Sequence, residues 1–124
     1  MINAAQTRNT APLKTKVSFD SKSRQLRIEP ATIPLVSAAR NEVYWSCDIE
    51  KSQRIEITFA PNDTPFRYSQ FHLRKGAGCL SGIVAKEKVR EQPYECTVKL
   101  IGSDPKSPTN QEVIAVTKAY VSVK

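Results

Sequence analysis

From Lys16 onward, apolar and polar residues alternate with a period of two. Val17 and Phe19 are separated by Ser18; Leu26 and Ile28 lie between Gln25, Arg27 and Glu29; Val43, Trp45 and Cys47 lie between Glu42, Tyr44 and Ser46. The same alternation returns in Ile55, Ile57 and Phe59, and in Tyr94, Cys96, Val98 and Leu100 against Glu95, Thr97 and Lys99. Successive side chains of a strand point to opposite faces, so each run predicts a half-buried β-strand. Residues 113–123 predict the last strand. Its apolar positions run Ile114 and Val116, then Ala119, Val121 and Val123. That change of parity near Lys118 predicts a β-bulge or bend. No segment carries a helical stripe.

Between these runs lie turn formers: Asp20-Ser21-Lys22-Ser23, Pro30 and Pro34, Pro61-Asn62-Asp63, and Asp104-Pro105 through Pro108. Short strands separated by such breakers predict an all-β fold, a Greek-key β-sandwich of seven or eight strands. Residues 60–80 read as one long connection with room for a short helical turn, and long loops in compact domains often carry function. The first residues are small and polar without periodicity. The chain therefore divides into a flexible arm, 1–14, and a single domain, 15–124.

Composition narrows the class. A chain of 124 residues, 40% hydrophobic and 25% charged, buries a core without staples and is neither disordered nor membrane-like. No apolar run reaches the ~18 residues of a membrane span, so no membrane partner is expected. The N-terminus lacks the layout of a secretory signal, which predicts a cytoplasmic protein, or a periplasmic or secreted one if a signal has been removed. The net charge is +7, of which Arg8, Lys14 and Lys16 account for three. The remaining four are a solubility-scale charge, and cations elsewhere are interleaved with acids, as in Lys86-Glu87-Lys88-Val89-Arg90-Glu91.

The run Leu26-x-Ile28-x-Pro30-x-x-Ile33, followed by Asn41-Glu42-Val43-Tyr44-Trp45, resembles the opening of cupredoxin-like domains, where an extended strand and a proline precede an edge strand and a Val-x-Trp strand. Tyr94-Glu95-Cys96 resembles their penultimate strand, and Pro65-Phe66 and Ser81-Gly82 resemble features of copper-free relatives. The resemblance covers most of residues 23–124 and implies a cupredoxin-like sandwich. A blue-copper site needs two imidazoles, a thiolate and usually a methionine. This chain has one histidine, His72, and one methionine, Met1; Ser52, Gln53 and Arg54 stand where the family keeps a histidine, and none follows Cys96. The expectation is a domain without metal or other cofactor, with Cys96 a small buried hydrophobe.

The three cysteines, Cys47, Cys79 and Cys96, form no Cys-x-x-Cys pair. A zinc site uniting them with His72 demands four long-range coincidences. Cys79–Cys96 and Cys47–Cys96 are the alternative disulfides of an oxidising compartment; free thiols fit the odd count. His72 with Cys79 is the one Cys-His combination close in sequence, too loosely spaced to define a nucleophile and base. One cluster stands out: Arg67, Tyr68, Phe71, His72, Arg74 and Lys75, ahead of Gly76-Ala77-Gly78. Cations and stacking rings in one loop suit single-stranded nucleic acid or another polyanion. The competing role is that Phe66, Tyr68 and Phe71 pack the loop onto the sandwich while the cations face water.

These readings predict a noncatalytic binding or interaction module, with residues 61–80 as the contact surface at one end of the sandwich. The partner would be another protein, and the chain a monomer or weak homodimer. Nucleic-acid or polyanion binding through residues 67–75 is the rival. A thiol-dependent enzyme using Cys79 is the remaining alternative.

Overall fold

Alternation along the chain builds two facing layers of strands. The computed structural model describes residues 11–39, 41–104 and 107–124. Most of the predicted arm, and Pro105 and Lys106 of the last predicted turn, lie outside the described residues. The strands are β1 (Leu13–Asp20), β2 (Gln25–Glu29), β3 (Thr32–Leu35), β4 (Val43–Asp48), β5 (Arg54–Phe59), β6 (Gln70–Arg74), β7 (Cys79–Leu80), β8 (Tyr94–Asp104) and β9 (Ser107–Val123). A four-stranded sheet has the order β2-β1-β4-β7 and a five-stranded sheet the order β3-β9-β8-β5-β6. Both sheets are mixed, because β1 runs parallel to β4 and β3 parallel to β9. The architecture is an all-β sandwich of nine described strands, two or one more than expected. Among the described residues, no helix is long and apolar enough to cross a membrane.

The core lies between the layers. Trp45, Phe59, Ile33, Leu35, Ile55, Ile57, Leu73 and Leu100 are fully buried there. Burying each such side chain contributes on the order of 1.5–3 kcal/mol. Phe66 and Phe71 close one end of this core edge-on, their ring centroids 5.7 Å apart, with Phe66 also 5.7 Å from Phe59. Thr64 holds Phe66 in place: its hydroxyl accepts from the Phe66 amide at 3.2 Å and donates to the Tyr68 carbonyl at 3.0 Å.

Longer connections cross that same end. Ser37 donates to the Lys124 carbonyl, Val84 to that of Asn41 and Arg90 to that of Val123. The Arg90 guanidinium binds both carboxylate oxygens of Asp63, at 2.7 and 3.2 Å, and stacks 3.6 Å above the Tyr94 ring. That hydrogen bond holds the Asp63 carboxyl below its ordinary pKa.

Four expectations are corrected. The first strand begins at Leu13 rather than near Lys16, and the Leu13 amide donates to the Glu42 carbonyl at 2.9 Å. Thr15 hid this start, because a polar residue occupies a fully buried, inward position. The bulge lies at Ile114 rather than near Lys118: Leu100 faces Ala115 and Ile101 faces Val113, leaving Ile114 without an opposite residue. Ile114 and Ala115 both lean on the core, and Val116 turns outward, 55% exposed.

Third, the long connection of residues 60–80 contains β6 and β7, and the one helical turn among the described residues, 3₁₀ in form, sits outside it at Lys86–Lys88. Fourth, Cys79 is a strand residue paired with Trp45. Strand β3 also escaped the alternation reading, because Pro34 interrupts it. A proline is tolerated there since, among the described strands, β3 lies at the edge of its sheet, with no second neighbour to receive an N–H.

Candidate interaction surface

The six residues predicted to form one contact loop are distributed along the whole height of the sandwich. Arg67 and Tyr68 lie before β6, exposed, with the Arg67 guanidinium 5.7 Å from the centre of the Tyr68 ring. Phe71 is 5% exposed and belongs to the core, because its position on an alternating strand turns it inward beside Leu73. His72 and Arg74 project from the outer face of β6, and His72 is a strand residue rather than a loop one.

Lys75 follows at the turn into β7, where it borders a cavity of about 310 Å³ with Phe19, Ser21, Asp48, Ile49, Glu50 and Gln53. An extended chain rises ~3.4 Å per residue, which separates Tyr68 from Lys75 by on the order of 20 Å. Residues 61–80 therefore do not gather at one end. Of the rings expected to pack the loop, Phe66 and Phe71 do so, and Tyr68 stays 61% exposed.

Strand pairing assembles a different group. On the outer face of the five-stranded sheet, Arg74 of β6 faces Arg54 of β5. One rung along that face, His72 faces Glu56, which faces Lys99 of β8 on its other side. The arginine rung continues through Ile101 and Val113, so it contains no acid. Arg54 donates to the side-chain oxygen of Gln111, a neutral amide. Glu56 is thus the carboxylate amid Arg54, Arg74 and Lys99. Like charges directly opposite one another in a sheet oppose folding by a few tenths of a kcal/mol to about 1 kcal/mol.

Further along the same face, Lys118 of β9 pairs with Glu95 of β8 at 3.3 Å. In the four-stranded sheet Lys16 faces Glu29, and Ser18 stands between Arg27 and Asp48. Among the described residues, neither Arg54, Arg74 nor Lys99 takes part in an ion pair. Sequence reading found His72 and Arg74 but missed Arg54 and Lys99, which lie 20 and 25 positions from Arg74 and join it only through strand register.

The chemistry weighed for the cysteines and His72 finds no common site. All three cysteines are free thiols, Cys96 buried and Cys47 and Cys79 half-buried, so neither disulfide alternative is formed. Cys96 lies on the inner face of β8, in register with Phe59 and Ala119, whereas His72 occupies the outer face of the same sheet. They cannot ligate one zinc or copper ion. Among the described residues no group of three or more His, Cys, Asp and Glu is placed to hold a metal.

The Cys79 thiol donates to the Leu80 carbonyl at 3.4 Å, and that of Cys47 to the Arg74 carbonyl at 3.3 Å. Burial raises the Cys47 pKa, with Asp48 adding to the effect, and burial pushes Cys96 up to about 12. Compared with protein-family models, with curated proteins and with solved structures, the chain matches none.

Proposed function

We propose that the protein is a noncatalytic binding module that presents the outer face of β5, β6 and β8 to an anionic partner. The observation that carries this reading is the Arg54–Arg74 pair, two arginines in register across neighbouring strands with no acid on their rung. A bound carboxylate or phosphate would relieve their repulsion and accept paired hydrogen bonds from either fork. Lys99 adds a third cation to the same face. A noncatalytic role is supported by the separation of His72 from the thiols, since a nucleophile needs a base within hydrogen-bond reach. Base stacking by the segment before and within β6 is less favoured, because Phe71 is buried and Tyr68 is its one exposed ring.

The scaffold reads as a cupredoxin-like Greek key. Support comes from the order in which strand β2, Pro30, the edge strand β3 and the Val43-x-Trp45 strand follow one another and cross between the sheets. The residues do not fit the copper centre of that family, for the reasons of placement given above.

Retention on a heparin column as a function of salt tests the function. The wild-type protein is expected to be retained and to lose affinity steeply with ionic strength. Arg54→Glu and Arg74→Glu should each elute at clearly lower salt than Arg27→Glu, which changes net charge equally on the opposite sheet. Equal shifts for all three variants would show that whole-molecule charge, and not this face, does the binding.

A further inference from the structure

The five-stranded sheet ends at β6, which pairs with β5 on one side and, among the described residues, with no strand on the other. Which of its backbone groups face the open side follows from one hydrogen bond. The Phe59 amide donates to the Ser69 carbonyl at 2.7 Å, so the rung joining these residues is a hydrogen-bonded one. Such rungs alternate in an antiparallel ladder, which makes those of Phe71 and Leu73 hydrogen-bonded to β5 as well. Gln70, His72 and Arg74 consequently turn their amides and carbonyls away from the sheet. The end of the strand agrees: the Arg74 amide and carbonyl bond to Ala77, at 3.4 and 3.0 Å, across the turn into β7. Gln70 and His72 are left with backbone donors and acceptors along an open edge.

Other edges are less suited to accept a strand. Pro34 lies within β3, and β7 has two residues. Strand β2 presents Arg27 and Glu29, opposite signs two residues apart, on its outer face. Strand β6 has no acid, and its outer face adjoins the arginine pair.

We infer that an acidic peptide in extended conformation adds to β6 as a sixth strand of this sheet. The inference rests on the anionic-partner reading above and specifies that partner. Its backbone would complete the hydrogen bonds of Gln70 and His72. Acidic side chains on alternate residues would then project on the outer face beside His72 and Arg74, while the intervening ones turn to the other side.

The test uses a synthetic peptide of alternating glutamate and threonine, with heparin as the comparison anion. In the wild-type protein the peptide should slow hydrogen exchange at the Gln70 and His72 amides, followed by NMR. Gln70→Pro removes an edge amide without touching any charge, at the first residue of a strand where proline is tolerated. It should weaken the peptide about five- to tenfold, the loss expected for one or two hydrogen bonds, and leave heparin retention unchanged.

Peptide binding without protection of these amides overturns the inference, as does heparin or single-stranded DNA binding with no peptide binding; in both cases the anionic-partner reading stands. Failure to bind either the peptide or heparin removes both. The exchange measurement needs no variant, so misfolding of Gln70→Pro would not leave the question open.

Discussion

Thr15 and Trp45 face each other across parallel strands, both fully buried, and neither the Thr15 hydroxyl nor the Trp45 indole N–H has a hydrogen-bond partner. A buried polar group left unsatisfied costs roughly 1–3 kcal/mol. Thr15→Val keeps the branched shape and removes the hydroxyl, so it is expected to raise the melting temperature by a few degrees. A fall on thermal unfolding would mean that the hydroxyl is satisfied, for instance by a buried water. Cys96 illustrates burial acting on an ionisable group. Its thiol ionises near 9 when free and is pushed up to about 12 in the core. The unfolded chain therefore releases this proton first, and the stability contributed by the buried thiol declines as pH climbs through that interval. Iodoacetamide at neutral pH should leave Cys96 unmodified in the folded protein and modify it in guanidinium, as peptide mass spectrometry would read; labelling of the native protein would contradict the burial.

The turn joining β6 to β7 depends on a glycine that packs without a side chain. A Cβ on Gly78 would collide with the Tyr44 hydroxyl and meet the Trp45 carbonyl oxygen at 2.6 Å. The tyrosine ring can rotate away, but the carbonyl belongs to the central strand β4 and cannot. Gly78→Ala is expected to lower stability by about 1–3 kcal/mol, visible as a reduced urea midpoint. An unchanged midpoint would mean that the turn moves freely over β4. The sequence made legible those elements whose inward positions are all apolar, such as Val43, Trp45 and Cys47 or Ile55, Ile57 and Phe59. It concealed the start of β1 behind Thr15, β3 behind Pro34, and β7 because two residues show no period. Within residues 60–80, Phe71 and Leu73 do alternate, but the surrounding Arg, Gly and Pro residues made the segment look like a loop. The candidate surface was half legible for a related reason: Arg67, Tyr68, His72 and Arg74 are neighbours in sequence, whereas Arg54 and Lys99 become neighbours through register, which no local pattern records.

Across the whole molecule, a net charge of +7 says less than the way charges face each other. On the outer face of the four-stranded sheet Lys16 faces Glu29, and Arg27 and Asp48 flank Ser18, so its charges are arranged with opposite signs near one another, which favours the fold. The five-stranded sheet sets Arg54 against Arg74, an arrangement that opposes folding and suits an anion. Stability and binding should therefore respond to one substitution with opposite signs. Arg74→Glu replaces a like-charged rung by an attractive one, so the folded state should gain up to about 1 kcal/mol, less at high salt where exposed charges are screened. The same change removes half of the guanidinium pair and should bring heparin elution to lower salt. Chemical denaturation and column retention on one preparation test both at once. A variant that is both less stable and less well retained would mean that Arg74 supports the fold through contacts other than its charge, and the functional reading of the arginine rung would lose its basis.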